Sequence, residues 1–413
     1  MHGRDLRLPV AVGVAVVAAS AATLALRPRS GPIPPAPARP QAYFSPAELD
    51  RIHDYVGPQR ALGLGTLAVT GAALVLLAWR PPRPLRRALE RAGARPLVGS
   101  AAAGAGVFLA VAVVTLPLAA IGQQRDRDFG LSTQGWGGWA GDIAKADAIN
   151  ALLAAAGAAL FIALVRRFPR RWWIPAAVAV VAIGALFEFL APVALDPLFN
   201  RFTALPKGPL RSEVLDLAHR AGVRVGQVYR VDASRRTTGE NAYVNGLGAT
   251  KRVVLYDNLI NGNPPAQVRS VVAHELGHVK HRDVPRGLLW LAIVAPAATL
   301  LIQRLSERAR AAPARDGRAG PALIPPLVLS LAAVAFAANV AGNALSRKVE
   351  ANADAYALRL THDPAAFIGV ERRLTTTNLI DPTPPGWLIT LFGTHPPTME
   401  RIGYALTFEH RGR

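Results

Sequence analysis

The feature that most constrains this chain is a succession of apolar runs long enough to cross a membrane. A helix needs about 18 or more apolar residues to span about 30 Å of hydrocarbon. Runs of this kind occupy residues 8–26, 61–79, 97–121, 148–165, 173–194, 287–302 and 321–345, the sixth being the shortest. Over 413 residues, 51% hydrophobic and only 18% charged side chains agree with them, as does a mean hydropathy of +0.24. The expected fold is mainly α: a polytopic membrane protein with about seven transmembrane helices and a small α/β unit.

The formal charge of +20 rests largely on arginines scattered through short connectors. That placement suits anchoring at a bilayer; no basic stripe interleaved with aromatics suggests nucleic acid as a partner. There are no cysteines, so disulfides, thiolate metal sites and cysteine nucleophiles are excluded, and any metal must be held by His, Asp or Glu.

Arg4 and Arg7 precede the first run, and Ala19-Ser20-Ala21 resembles a signal-peptide cleavage site, but six further runs favour a retained anchor. Residues 32–40 are proline-rich and read as an extended linker. Glu188 and Asp196 lie in or at the end of the fifth run, where Glu188 suits a polar cavity or an arginine partner and Asp196 the interface. Two polar regions, 200–286 and 346–413, are each short for an independent domain and should pack together on one membrane face. The pattern predicts a helix over 213–221, strands over 228–231 and 253–256, a turn at 261–265 and a helix over 265–280. The division is therefore residues 1–199, a five-span membrane region, and 200–413, a catalytic region containing a two-span hairpin at 287–345.

The last helix carries His274-Glu275-Leu276-Gly277-His278. Histidines four apart share one helix face and can hold one ion, while Glu275 stands beside the first ligand as a general base for an attacking water. A catalytic zinc site takes three protein ligands and keeps one position open. Glu350 is the candidate third ligand, because the sixth and seventh runs form an out-and-back hairpin that returns it to the face of His278. Asp354, one turn further on, can accept from the free ring nitrogen of a ligand histidine. His281 points off the shared face, and His219 and His362 read as surface residues.

These motifs resemble the M48 family of zinc peptidases, and within it the seven-span CAAX prenyl proteases of the Ste24 type. The likeness extends to Pro197–Phe202 with Lys207–Leu210, to Gly130–Gln134, to Asn241–Gly246 and to Thr394-His395-Pro396 with Arg401. It implies a helical barrel around an intramembrane chamber, one Zn²⁺ per chain on His274, His278 and Glu350, and catalytic roles for Glu275, Asp354 and His395, the last stabilising an oxyanion. It also implies a substrate edge at Asn241, Ala242 and Tyr243, with Arg401 ordering the site and grouped with the substrate-binding residues. From the residues alone, 241–246 reads equally as a peptide-binding edge or a hairpin turn.

The function implied is a zinc metalloendopeptidase of the cell membrane acting on peptide or protein substrates, with prenylated CAAX-type C-termini as the narrower class. Ala- and Arg-rich connectors look bacterial and separate the chemistry from that substrate. The other readings are a membrane quality-control protease and a non-enzymatic sensor or scaffold. Membrane lipid is the surrounding partner, and the chain reads as a monomer. Lys and Arg divide evenly between the two sides of the runs, so the cytoplasmic placement of the active site rests on the resemblance.

Overall fold

The structure is a computed structural model that describes residues 6–29, 33–246, 251–308 and 313–412. Its membrane half begins with α1 (Arg7–Leu26), α2 (Pro46–Trp79), α3 (Arg83–Ala92), α4 (Pro96–Asp128), α5 (Trp136–Arg167), α6 (Trp173–Ala194) and α7 (Asp196–Phe199). A mixed segment follows: β1 (Phe202–Ala204), α8 (Pro209–Arg220), β2 (Gln227–Val231), β3 (Ala242–Asn245), β4 (Arg252–Tyr256), α9 (Asp257–Gly262) and α10 (Pro265–Lys280). The chain ends with α11 (Asp283–Ser306), α12 (Ile324–Thr361), α13 (Pro364–Thr377), α14 (Gly386–Phe392) and α15 (Thr398–Gly412).

Among the described residues, 7 helices are long and apolar enough to cross a membrane, and they coincide with the seven runs. Several reach well beyond the runs. α2 starts at Pro46, where Ser45 and Glu48 form a capping box, and α12 continues past the apolar stretch to Thr361. Hydropathy marks the part of a helix that sits in lipid, not the polar turns that project from it.

Neighbour by neighbour, the spans close a ring in the order α1, α11, α6, α5, α4, α2, α12 and back to α1. α1 packs against both α11 and α12, which also touch each other directly, and its Thr23 accepts from Trp290 Nε1 at 3.0 Å. In the most apolar stretch of each span at most 33% of residues are buried, and in that of α6 none are. Most side chains in these stretches therefore face outward or into the ring and are not packed against protein.

The two polar regions form one unit, as the sequence suggested. Val214 and Leu217 of α8, Val228, Val253 and Leu255 of the sheet, Val272 and Leu276 of α10, Ala355 of α12 and Tyr404 of α15 share a single core. The sheet runs β1-β2-β4-β3, with β2 and β4 parallel and the outer pairs antiparallel. β3 therefore lies at an edge. Three local expectations are corrected. The 213–221 helix begins earlier, at Pro209 (Pro at N1), and the turn expected at 261–265 is confined to Asn263-Pro264 because Asp257–Gly262 is helical. Residues 33–40 of the proline-rich stretch, with the turn that follows to Phe44, are docked: Ile33 and Phe44 are buried, and Ala36 N–H donates to Gly403 O on α15 at 3.0 Å.

A loop after α4 joins ring and catalytic unit. Gly130, at φ 72°, ends α4 with Leu131 N–H on Asp126 O, a left-handed cap that suits glycine. Leu131 O then accepts from Thr238 N–H and Thr237 Oγ1, and Thr133 N–H donates to Arg236 O. The segment leading into β3 is thereby fixed to the membrane half.

Candidate active site

The site is built where α10 crosses α12. The crossing is close because Gly277 faces Ala353: a Cβ at Gly277 would lie 3.2 Å from Ala353 Cα and 3.3 Å from Tyr356 Cδ1. That approach brings Glu350 over the two histidines. His274 Nε2 lies 3.1 Å from His278 Nε2 and 3.1 Å from Glu350 Oε2, and His278 Nε2 lies 3.6 Å from the same oxygen. Among the described residues these three form the group able to share an ion, with ligand atoms all within 4.8 Å of one another.

Each histidine has its other ring nitrogen on a carboxylate. His274 Nδ1 is 2.8 Å from Asp354 Oδ1, and His278 Nδ1 is 2.9 Å from Asp283 Oδ2. Such pairing leaves both Nε2 atoms free to act as ligands and fixes the ring planes. Asp354 is 0% exposed and takes a two-pronged contact from Arg401, Nε to Oδ2 at 2.9 Å and Nη2 to Oδ1 at 2.6 Å. Arg401 Nη1 continues to the buried Glu371 at 2.9 Å. Burial opposes charging His274, but the carboxylates of Asp354 and Glu350 outweigh it and push the ring up to about 10 in the absence of metal. The cluster is held ready for a cation.

Glu275 projects beside the ligands and lines a cavity of about 120 Å³ between α10 and the edge strand, together with Asn241, Ala242, Val271 and His395. Burial pushes its carboxyl above the ordinary value, and the neighbouring histidines pull it back. His395 reaches the opposite side of the cluster, its Nε2 3.2 Å from Glu350 Oε2 and its side chain 56% exposed toward an open cleft of about 770 Å³. Burial holds its pKa below the usual value for histidine, and Thr394 Oγ1 lies 2.9 Å from its Nδ1.

The residues expected at the substrate edge divide. β3 is an edge strand, paired antiparallel with β4 on one side only, so residues 242–245 are a strand and not themselves a turn. Asn241 lines both cavities and accepts from Ala242 N–H at 2.9 Å. The side chains of Ala242 and Val244 face the core shared with α10. Tyr243 alternates to the other face of the sheet, packing with Val231 and Val254, and its hydroxyl donates to Asp196 at 3.3 Å. Its side chain is therefore engaged away from the metal ligands, and its backbone is what it presents at the edge. Arg401, grouped with the substrate-binding residues, instead commits its guanidinium to Asp354 and Glu371.

His281 sits at the end of α10 with Nδ1 2.8 Å from Asn352 Nδ2, away from the cluster, and His219 and His362 are exposed. Sequence reasoning missed Asp283, Glu371 and the network around Glu240. Buried Glu240 accepts from Arg373 at 3.0 Å and Asn263 at 2.8 Å, and its N–H donates to Asn378 Oδ1 at 3.1 Å, fixing the entry to β3. Asp283, five residues beyond His278 and opening the next helix, was recoverable as a partner for its ring; Glu371 has no motif around it.

Comparison with known proteins places this geometry in context. The model of peptidase family M48 matches residues 204–407, and that of the CAAX prenyl protease N-terminal region, with five membrane helices, matches residues 61–201. YhfN of Bacillus subtilis (strain 168), described as an uncharacterized metalloprotease, is 34% identical over 301 residues, covering 72% of this chain and 71% of that one. CAAX prenyl protease 1 of Saccharomyces cerevisiae is 38% identical over 122 residues, which is 29% of this chain and 26% of the yeast protein. Its homologue in Oryza sativa subsp. japonica is 29% identical over 230 residues, 54% of this chain and 52% of that protein. The crystal structure of S. mikatae Ste24p superimposes with a TM-score of 0.77 over 98% of this chain and 99% of that one, at 18% identity, so the fold is shared.

Proposed function

The chain belongs to peptidase family M48 and is a multi-pass membrane metallopeptidase, and from that premise we propose that it is a zinc endopeptidase cutting a peptide laid along β3. The observation that carries this reading is the convergence of His274, His278 and Glu350 beneath an edge strand, with Glu275 in the cavity between them. Two imidazoles and one carboxylate suit zinc, and the carboxylates on both distal ring nitrogens fit that use.

When bound, zinc would supply a positive charge that polarises the scissile carbonyl and lowers the pKa of a water to about 7. The free edge of β3 orients the substrate by backbone pairing, and Asn241 borders the position of the cleaved bond. Glu275 takes the proton of the attacking water on its carboxylate and delivers it to the leaving amine. With Thr394 Oγ1 beside its Nδ1, His395 can carry its proton on Nε2 and donate a hydrogen bond to the developing oxyanion. Asp354 and Arg401 position His274 without touching substrate.

The substrates are peptides or proteins, and prenylated C-termini are the narrower class we propose, supported by the prenyl proteases among the relatives. The ring closes within one chain, which supports a monomer, and we place the active site on the cytoplasmic side by likeness to the family. The test is cleavage by detergent-purified protein of a farnesylated CAAX peptide and its unprenylated counterpart. Cleavage of both at similar rates would remove the prenyl requirement, and cleavage of neither, nor of any general peptide substrate, would remove the peptidase reading.

A further inference from the structure

The ring holds a second cavity far from the metal ligands. It has a volume of about 530 Å³ and draws its lining from α2, α4, α5, α6, α11 and α12. That size falls among small-molecule sites, which run from about 300 to 1,000 Å³. Leu331 lies at its near end, about 28 Å along α12 from Glu350 at 1.5 Å per residue.

The lining is apolar throughout except for Thr70 and Thr299, and the hydroxyl of Thr299 donates to backbone carbonyls, Ala295 O at 2.8 Å and Trp173 O at 2.9 Å. Nothing there would hold water, and the cavity sits at hydrocarbon depth in the spans. Hydrocarbon is the matching occupant.

One flank of the cavity is the seam between α5 and α6, the loosest junction of the ring. Small residues, Gly157, Ala176 and Ala179, line that seam, and Leu153, Leu160, Val180 and Ile183 along it are each 40–42% exposed. A Cβ at Gly157 would meet nothing within 4 Å. Directly beyond the seam, the α5–α6 connection carries exposed Arg167, Arg170 and Arg171, while Arg166 is paired with Asp316. Leu164 and Trp172, which line the cavity, are within one helical turn of those arginines. An apolar slot capped by a cluster of cations is complementary to an anionic amphiphile.

We propose that this seam binds one anionic membrane phospholipid, with an acyl chain in the cavity and its phosphate against Arg167, Arg170 and Arg171. The site is separate from the peptidase chemistry and does not depend on it. A chain in the seam would complete the ring where helix contacts are sparse.

The test uses full-length protein stripped of lipid in detergent and supplied with dioleoyl phosphatidylglycerol or dioleoyl phosphatidylcholine, read by native mass spectrometry and thermal midpoint. Phosphatidylglycerol should remain bound at about one per chain and raise the midpoint by at least about 3 °C, with little effect of phosphatidylcholine. Gly157→Leu, which fills the slot, and the triple variant Arg167→Ala, Arg170→Ala, Arg171→Ala should each abolish that retention. The triple variant changes only exposed side chains and keeps the test decisive if Gly157→Leu fails to fold. Equal retention of both lipids, or retention unchanged in the triple variant, overturns the proposal. So does a Gly157→Leu protein that slows cleavage of a farnesylated peptide but not of its unprenylated counterpart, because the slot would then serve the substrate's chain.

Discussion

The membrane ring and the catalytic unit use the same apolar residue types in opposite ways. In the ring, Val178 is 66% exposed and Val193 68%, whereas in the catalytic unit Leu276, Val253 and Leu217 are 0% exposed. Lipid replaces protein as the partner of the ring's side chains, so the ring can be wide; the catalytic unit must exclude water and does so with one dense core. The difference also governs polar groups. The catalytic unit encloses Asp354, Glu371 and Arg401 in a closed network, where loss of one member strands the others.

Substitutions can break or sharpen this contrast. The largest effect should come from Glu275→Gln, which removes a proton acceptor without changing shape: turnover of a cleavable peptide should fall on the order of 10²–10⁴-fold while the thermal midpoint stays put. Arg401→Ala leaves buried Glu371 without its cation and Asp354 with His274 alone, and should destabilise the catalytic unit by about 3–5 kcal/mol in denaturant unfolding, with metal content falling alongside. Leu276→Ala, beside the ligands but apolar, should cost about 2–5 kcal/mol by the same measurement. Asp283→Asn weakens the acceptor behind His278 and should lower metal affinity about 10–100-fold in a chelator competition. The smallest effect belongs to Val178→Ala on the ring, within about 0.5 kcal/mol; a loss as large as that of Leu276→Ala would mean that this face is packed against protein and that the ring is not as described.

The parts of this arrangement that were legible in the sequence are those where chemistry fixes spacing. A bilayer demands runs of a set length, so the spans could be located; one ion demands histidines a helical turn apart, so His274 and His278 could be paired. Glu350 followed from counting two crossings between it and His278. What resisted reading depends on contacts distant in the chain. Glu371 meets Arg401 only because α13 and α15 pack together, and no local pattern announces it. The direction of the Tyr243 side chain was not legible either: only with a strand drawn at Ala242–Asn245 does alternation turn it away from the metal ligands. Residues 32–40 read as a linker because prolines suit a docked, extended strap as well as a free one.

The account's central claim is that His274, His278 and Glu350 hold one catalytic zinc beside Glu275, and the most direct measurement is elemental analysis of the purified wild type, Glu275→Gln and Glu350→Ala. About one zinc per chain in the first two, with a marked loss in Glu350→Ala, is the predicted result. Full zinc retention in Glu350→Ala, or no zinc in the folded wild-type protein after metal has been supplied, would contradict it.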